Sequence, residues 1–581
     1  MHITYCIIDA QHYQVVAVDR LLCKDDVSTL LQLTQTASER HLGFPGFTVQ
    51  GVYWLHNSQH IRSALAATPA ALNTARDWQS ILEKHSFRVR DDETFSDLYA
   101  HTEAADHTIA FVVFAEVLRK PLRLTGYEAF IKSLQNKMRD SPAPSTASQN
   151  SELAASQTVT AVAAILNGRP RPLRGPPLGV YHPVFPRFVA RYTDRTPVIF
   201  ESNDIRSARE LIAASAKFFR DEAAFQQAIA KPLEHFLGPY SASKYSTYYL
   251  PKHSFECDCH RRTPETDGAL SLIGELKNGI GEGESDPFEQ AAAVCCRMAI
   301  HVDESVRQMR LRTCMPCFLL AMTGTHLAVG GAVLADRYIV GRFTDYISLI
   351  PLDHGDDPEL ERIEIIVRTL RSLRICLDEL DKWYEMQWVS PPRLPEVFPM
   401  PHRVEVAGIK ITYIRRMKTE DRSCAIFRAS IEMNGEQLAA VVKFARRYCV
   451  NAHSAMARAS LAPKLYHAQQ DLDVGAFCVI MEFVEEQPAL PPDAKLKVEN
   501  AVERLHAFNF VHGDLRQPNI LFRGDVPLII DYDWAGLEGE AKYPMDLSNQ
   551  ILWPPGVERA GAITKAHDLF WAKQFPSPPD E

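Results

Sequence analysis

The sequence predicts a multidomain chain of mixed α+β and α/β units, and three observations carry that expectation. A length of 581 residues, at roughly 100 to 200 residues per domain, allows about three to five domains. Strand-like alternation and helical apolar spacing follow one another along the chain. Two low-complexity or Pro-rich stretches separate the patterned segments. With 46% hydrophobic and 23% charged residues the chain can bury substantial cores. Its 63 Lys and Arg against 72 Asp and Glu give a net charge of −9, which speaks against a chain that coats nucleic acid but leaves room for a local basic groove. Twelve cysteines are too few for a disulfide scaffold and make a reducing compartment the default.

The first segment reads strand (ITYCIIDA), strand (YQVVAVD), helix (VSTLLQLTQTASERH), strand (FTVQGVYWL). A helical stretch near Trp78 to Glu83 and a strand-like FAEVLRKPLRLTG follow. That order fits a ubiquitin-like grasp over residues 1–126. The start, MHITYCIIDAQHYQ, has no basic n-region or sustained apolar core, so no conventional secretory signal is expected. Residues 127–180, with SPAPSTASQNSELAASQTVT and GRPRPLRGPP, read as a flexible low-complexity linker. Residues 181–388 form a middle unit: a helical Ser207–Gly238 region, short strands, a helix, an apolar run and the helical ELERIEIIVRTLRSLRICLDELDKWYEM. The apolar run, Cys317 to Ala335, approaches the length of a membrane span, but Thr, His and Gly interrupt it. Two buried strands joined by a turn fit better, and no membrane span is expected. VSPPRLPEVFPMPHR, 389–403, reads as a second linker, and 404–581 as the last unit.

In the middle unit, ALSLIGELKN places Glu275 and Lys277 on one strand face. A carboxylate that holds Mg²⁺ and an ammonium that positions the attacking water are the pairing for metal-assisted phosphodiester cleavage. A second carboxylate must reach the same ion. Asp267 on a continuous strand would stand about 26 Å away. If RTPETDG turns a hairpin, SFECDCH runs back antiparallel and Asp258 lands opposite Gly274 or Glu275. In DPFEQAAAVCCRM, Asp286 can cap a helix with Pro287 at its first position and Glu289 completing a capping box, which sets Gln290 toward the strand. These residues resemble the PD-(D/E)xK restriction-endonuclease-like superfamily, in whose RecB-like branch a second-helix Gln occurs. The resemblance implies a further metal-facing Glu on the first helix, Glu222 or Glu234. No Pro-Asp dipeptide stands at Asp258, and Val294 replaces the branch's usual Tyr. Cys257, Cys259 and His260 with Cys314 and Cys317 admit a zinc site, and Cys314-x-x-Cys317 a redox pair, although such sites normally need two clean ligand pairs.

At the C-terminus, FVHGDLRQPNILFRGDVPLIIDYDWAG carries the parts of phosphoryl transfer. Asp514 is the candidate base and Asn519, five residues on, a metal ligand. Asp531 ends an apolar strand and would bind the metal bridging the phosphates. Arg516 would support the transferring group. The segment resembles the catalytic and metal-binding loops of the protein-kinase-like fold, with HGD for HRD and DYD for DFG, closest to aminoglycoside-phosphotransferase-like and other minimal kinases. The resemblance implies ATP and Mg²⁺, with Lys443 in LAAVVKFARR as the nucleotide lysine, Met481 as gatekeeper, backbone groups of Glu482 and Val484 for adenine, and Asp546 bracing the catalytic loop. Phe444 to Gln470 contains no Asp or Glu to pair with Lys443, leaving His453 as the nearest polar substitute, and RMKTEDRSCAIFRA lacks glycine. A nucleotide-binding pseudokinase stays open beside an active kinase.

Header, GELKNGIGEGESDPFEQA and HGDLRQPNIL with IDYDWAGLEGEAKYP together resemble Crinkler-type proteins of fungi and oomycetes. The resemblance implies an intracellular effector or conflict protein, delivered without a conventional signal and acting in a host nucleus. It implies a protein hydroxyl as phospho-acceptor and DNA as the target of the middle unit. RQMRLR, Arg307 to Arg312, is the candidate DNA-facing strip, against the ordinary solvated face of a helix.

Overall fold

The computed structural model describes the strands of residues 1–125 as backbone. Beyond them it describes residues 126–576 except 162–163, 239–240, 247–253, 264–265, 267–268, 282–284, 419–420, 486, 488 and 550. The chain divides into two units, Met1–Thr125 and Gly126–Glu581. The second unit mixes helices with sheet, as the patterning along the chain predicts, and among the described residues no helix is long and apolar enough to cross a membrane.

In the first unit β1 (His2–Asp9), β2 (Val15–Leu22), β3 (Phe47–Leu55), β4 (Ser86–Arg88) and β5 (Thr108–Val117) form one sheet in the order β2-β1-β5-β3-β4. β1 and β5 are parallel and the other pairs antiparallel. A parallel neighbour needs a crossover connection rather than a hairpin, and the long chain between β1 and β5 supplies it. The helices expected at VSTLLQLTQTASERH and near Trp78–Glu83 lie outside the described residues.

The second unit opens with α1 (Tyr127–Asp140), inside the segment whose composition suggested a flexible linker. Tyr127, Ile131, Leu134, Leu173 and Leu178 are buried in the unit's main core, so residues 127–180 are anchored by apolar side chains that the Ser, Ala and Pro around them disguise. The 389–403 stretch is anchored too. The Glu128 N–H donates to Pro395 O at 2.9 Å, the Arg393 N–H to Leu311 O at 2.7 Å and the His402 N–H to Val180 O at 3.0 Å. The Arg393 guanidinium lies 5.2 Å from the Tyr127 ring centroid.

A sheet of β6 (Ser241–Ser246), β7 (Ser254–Arg262), β8 (Leu270–Lys277), β9 (Cys317–Thr323), β10 (His326–Leu334), β11 (Tyr338–Arg342) and β12 (Ile347–Ser348) follows. Its order is β11-β10-β9-β8-β7-β6, with β12 beside β10. The long apolar run is β9 and β10, paired antiparallel and buried along nearly their whole length. Gly324 turns between them at φ +50°, where a Cβ would meet Asn278 O at 2.8 Å. The helical region expected over Ser207–Gly238 is two helices, α2 (Asp204–Ser215) and α3 (Glu222–Leu237). They separate because extended Asp221 caps the second, accepting from the Ala224 N–H at 2.9 Å. α4 (Pro287–Ala299) packs across β8, β9 and β10, and α5 (Pro358–Trp388) closes against α2 and α3.

The C-terminal sheet, β13 (Glu405–Val406), β14 (Ile409–Arg416), β15 (Ala425–Met433), β16 (Glu436–Ala445), β17 (Leu465–Asp471) and β18 (Ala476–Glu482), is antiparallel in the order β13-β14-β15-β16-β18-β17. Val442, Phe444, Cys478 and Ile480 belong to the same core as the middle unit, and a buried Arg416–Asp336 pair at 2.5 Å ties the two. A second core gathers α6 (Val450–Arg458), α7 (Ala494–Ala507), β20 (Ile520–Arg523), β21 (Val526–Ile529) and α8 (Lys565–Lys573), with β19 (Phe510–Val511) and β22 (Gly536–Leu537) beside it.

Candidate active sites

β7 and β8 form the hairpin that brings carboxylates together. Cys259 pairs with Gly274 and His260 with Ile273, which sets Asp258 level with Glu275. The Leu276 N–H donates to Asp258 Oδ2 at 2.7 Å, and Gln290 Nε2, from the first turn of α4, donates to Glu275 Oε2 at 2.7 Å. Lys277 Nζ meets Glu222 Oε2 at 3.2 Å. All four sequence-derived residues therefore converge. Of the two helix candidates Glu222 joins them, while Glu234 is exposed. Asp267 lies outside the described residues. As expected, Asp286 caps α4, accepting from the Phe288 N–H at 2.8 Å. Glu289 does not close a capping box, because its carboxylate is engaged by Asn167 at 2.7 Å and by Arg169 and Arg342 at 3.2 Å.

The electrostatics of this cluster are unbalanced. Glu275 is 1% exposed, and its Oε1 is buried without a hydrogen-bond partner. Burial first, and the Asp258 carboxylate beside it second, push the Glu275 carboxyl well above the ordinary carboxylate range. Against burial, the carboxylates of Glu222, Asp258 and Glu275 hold the Lys277 amine above its usual range. A divalent cation suits the unpartnered Oε1 and the neighbouring Asp258. Among the described residues no group of three or more His, Cys, Asp or Glu is arranged to hold a metal, so such an ion would retain several waters, as Mg²⁺ characteristically does.

The cysteine alternatives lose their geometry. Cys257 Sγ and His260 Nδ1 are 3.8 Å apart, but Cys314 donates to Tyr181 O and Cys317 to Phe318 O. Burial pushes the Cys314 thiol up to about 12, so it stays a protonated, unreactive thiol. The Arg307–Arg312 strip is likewise spent inside the fold. Arg310, 2% exposed, donates to Ala299 O and His301 O, Arg307 pairs with Glu128 and Glu304, and Arg312 holds Ser390 O.

In the C-terminal part Lys443 on β16 stands between two carboxylates, 2.7 Å from Asp531 and 2.6 Å from Asp533. Against burial, Lys443 holds the Asp531 carboxyl far below its usual range, and the two acids hold the Lys443 amine above its own. Burial, with Asp531 adding to it, raises the Asp533 carboxyl despite Lys443. Asp531 adopts φ +69°, a left-handed conformation that costs a non-glycine residue energy and is kept where the surroundings enforce it. Asp533 thus supplies Lys443 with a second carboxylate partner. His453 does not: it is buried between Tyr448 OH at 2.6 Å and Pro463 O at 2.8 Å, stacked on Tyr532.

The Asp514 carboxylate is gripped by Arg516, through Nε at 2.5 Å and Nη2 at 2.9 Å, and by Asn519 Nδ2 at 2.9 Å. The loop that carries it is braced by Asp568 of α8, not by Asp546. Buried Asp568 accepts from the His512 and Gly513 N–H groups, both at 2.8 Å. Asp546 instead pairs with Arg171 at 2.7 Å on the surface. The two corrections differ in how far the sequence could have shown them. Asp568 sits in a short amphipathic segment, AHDLFWAK, whose lone buried acid carries no motif, and Asp533 was visible as the second Asp of IDYD.

Lys443, Asp514, Asn519, Asp531 and Asp533 line one cleft of about 630 Å³. The glycine-free β14–β15 turn covers part of it with Lys418, Asp421 and Ser423, and Asp421 stiffens that turn by accepting from the Ser423 N–H at 3.0 Å and Oγ at 2.8 Å. At the proposed hinge, Met481 pairs with Val441 and the Glu482 N–H donates to Lys464 O at 2.8 Å. Val484 follows the strand end, and none of Met481, Glu482 and Val484 is in the cleft lining. The residues fit a nucleotide with its cation: Asp531 and Asn519 line the cleft together, with Lys443 held against Asp531.

No protein-family model and no curated protein matches the chain. Among solved structures it is similar to a chain described as the Cydia pomonella granulovirus kinase PK-1, with 20% identity, a TM-score of 0.23 and 28% of this chain covered. The chain spans 65% of that kinase's length.

Proposed function

We propose that the C-terminal part is a minimal protein-kinase-like phosphotransferase that uses ATP and Mg²⁺ to phosphorylate a protein hydroxyl. The observation that carries this reading is the meeting of Lys443, Asp531, Asp514 and Asn519 in one cleft. Bound MgATP would supply the phosphoryl group, and Asp531 and Asn519 would hold its metal. Lys443, kept charged by its two carboxylates, favours phosphate oxygens at the mouth of the cleft. Asp514, oriented by Arg516 and Asn519, accepts the proton of the incoming hydroxyl. Asp568 does not touch the reactants; it keeps the 512–514 backbone in place.

The unpartnered Glu275 Oε1 beside Asp258 favours a second reading for the middle unit, Mg²⁺-dependent DNA cleavage. Asp258 and Glu275 would hold the ion and Lys277 would position water, with Gln290 fixing Glu275. The first unit's single five-stranded sheet supports its reading as a ubiquitin-like header. A Crinkler-like effector that acts within a host cell is the biological setting we propose from the order of these parts. The test incubates the full chain with labelled ATP and with plasmid DNA plus Mg²⁺, beside Asp514→Ala and Glu275→Ala. Each variant is expected to lose its own activity at least a hundredfold and keep the other. Equal signal from wild type and variants would reduce both centres to binding modules.

A further inference from the structure

A second cavity, of about 810 Å³, adjoins the C-terminal cleft, and the two share Arg174, Gly175, Pro177 and Arg446 in their walls. Its lining has an unusual charge pattern. Arg169, Arg171, Arg174, Arg342 and Arg446 all contribute, and no Asp or Glu lines it among the described residues. Its apolar wall comes from Leu178, Phe185, Val340 and Phe343.

The five arginines are not equivalent. Arg169 and Arg342 share Asp286 and Glu289 at 3.1 and 3.2 Å, so their charge is answered inside the protein. Arg171 meets Asp546 at 2.7 Å, with side chains 66% and 43% exposed, a pair of little net strength that another carboxylate can replace. Arg174 and Arg446 are exposed and have no side-chain partner among the described residues. These two stand where the groove meets the cleft that holds Asp514.

We infer that this groove receives the phospho-acceptor and that the acceptor is an acidic polypeptide segment, carrying Asp, Glu or phosphoresidues beside the modified hydroxyl. The inference rests on the phosphotransferase reading and narrows its substrate class. Carboxylates suit the groove because its arginines already hold carboxylates in the fold, at both its Asp286–Glu289 and its Asp546 ends. Fork-shaped guanidinium groups match carboxylate and phosphate oxygens in pairs. A nucleic-acid strand suits it less. Single strands are held by exposed aromatic faces on which bases stack, whereas Phe185 is buried in the core at 1% exposure and Phe343 packs against it at 5.5 Å between ring centroids.

The experiment follows binding and transfer separately on the full chain. Fluorescein-labelled peptides with a central Ser flanked by Asp and Glu, or by Lys and Arg, and a single-stranded oligonucleotide of equal length, are titrated by anisotropy. Transfer from labelled MgATP is then read on each peptide. The expected result is that the acidic peptide binds at least tenfold tighter than the basic one and is the better acceptor, that salt weakens it, and that Arg171→Glu/Arg446→Glu costs a further tenfold or more. Arg174→Gln/Arg446→Gln, which removes two exposed charges without a side-chain partner among the described residues, decides the point if that variant fails to fold, and an unchanged affinity there overturns the inference. Equal or stronger binding of the basic peptide, or an oligonucleotide that outcompetes the acidic peptide, overturns the inference. Tight, salt-sensitive binding of the acidic peptide without transfer upholds the groove and overturns the phosphotransferase reading instead.

Discussion

The two candidate sites of the second unit use the same ingredients, two carboxylates and a lysine, and arrange them oppositely. In the C-terminal cleft Lys443 stands between Asp531 and Asp533 at 2.7 and 2.6 Å, so the acids are answered by the chain itself. In the middle site Lys277 turns to Glu222 at 3.2 Å, and Glu275 Oε1 is left buried beside Asp258 without a donor. One lysine and two acids make a self-sufficient ion-pair cluster when the lysine bridges them. They make a site short of positive charge when a third carboxylate draws the lysine aside. The first is built to keep its shape before any ion arrives, and the second gains most when one does.

The largest test of that contrast is Lys443→Met, which removes the cation that stands between Asp531 and Asp533. Breaking such a cluster from one side leaves uncompensated charge, at about 3–5 kcal/mol. The thermal midpoint of the full chain's C-terminal transition should fall accordingly, and MgATP binding measured by calorimetry should disappear. A midpoint unchanged within error would mean the Asp531–Asp533 pair does not need its lysine. The matching change in the middle site, Lys277→Met, should cost less, because the nearest partner, Glu222 at 3.2 Å, is one-third exposed and buried Glu275 can stay protonated.

Next in size is Asp568→Ala. It strips the acceptor from two buried N–H groups, those of His512 and Gly513, and about 3 kcal/mol is expected. Phosphotransfer should fall with it through a lower kcat, since the 512–514 backbone loses its anchor while the lysine and its two acids stay intact.

These residues also show what the sequence could convey. The hairpin that sets Asp258 against Glu275, the cap at Asp286 and the reach of Gln290 were legible because each follows from local rules: strand period, turn residues and N-cap chemistry. Asp514, Asn519 and Asp531 were legible from spacing, and Lys443 from the kinase-like resemblance those three carry. What failed was tertiary. Whether Asp546 or Asp568 braces the 512–514 loop depends on how α8 packs, and no local spacing encodes that. The linker reading of 127–180 failed for a related reason. A few buried apolar residues, Tyr127, Ile131 and Leu173 among them, outweigh a surrounding composition that averages as disordered.

The pH responses of the two sites should have opposite signs. Glu275 is pushed up on folding, so the folded state holds a proton that the unfolded chain gives up near the ordinary glutamate value of about 4.3. Its contribution is therefore most favourable below that pH and is lost as pH rises toward its folded value. Asp531 is depressed, so its contribution is present above the ordinary carboxylate range and lost as pH falls through its folded value. Glu275→Gln should accordingly raise the midpoint of the metal-free protein at pH 8, by about 1 kcal/mol. It should also abolish stabilisation by Mg²⁺, which for the wild type amounts to about 1.4 kcal/mol at ten times its dissociation constant. A variant that still gains stability from Mg²⁺ would remove the ion from this site.

The smallest expected effect separates bracing from surface pairing most cleanly. Asp546 stood in the sequence as the natural partner of the catalytic loop, yet it meets Arg171 with 43% and 66% of the two side chains exposed. Exposed pairs contribute about 0–1 kcal/mol, so Asp546→Ala should lower stability by no more than that. Beside Asp568→Ala this forms an internal control: two acids of the same part of the chain, one buried under two backbone donors and one facing solvent. Should the two substitutions cost the same, the loop would be held by the whole network around it rather than by Asp568. If instead Asp546→Ala tightens binding of the acidic peptide, the released Arg171 has joined the groove, as its exchangeable pairing leads one to expect.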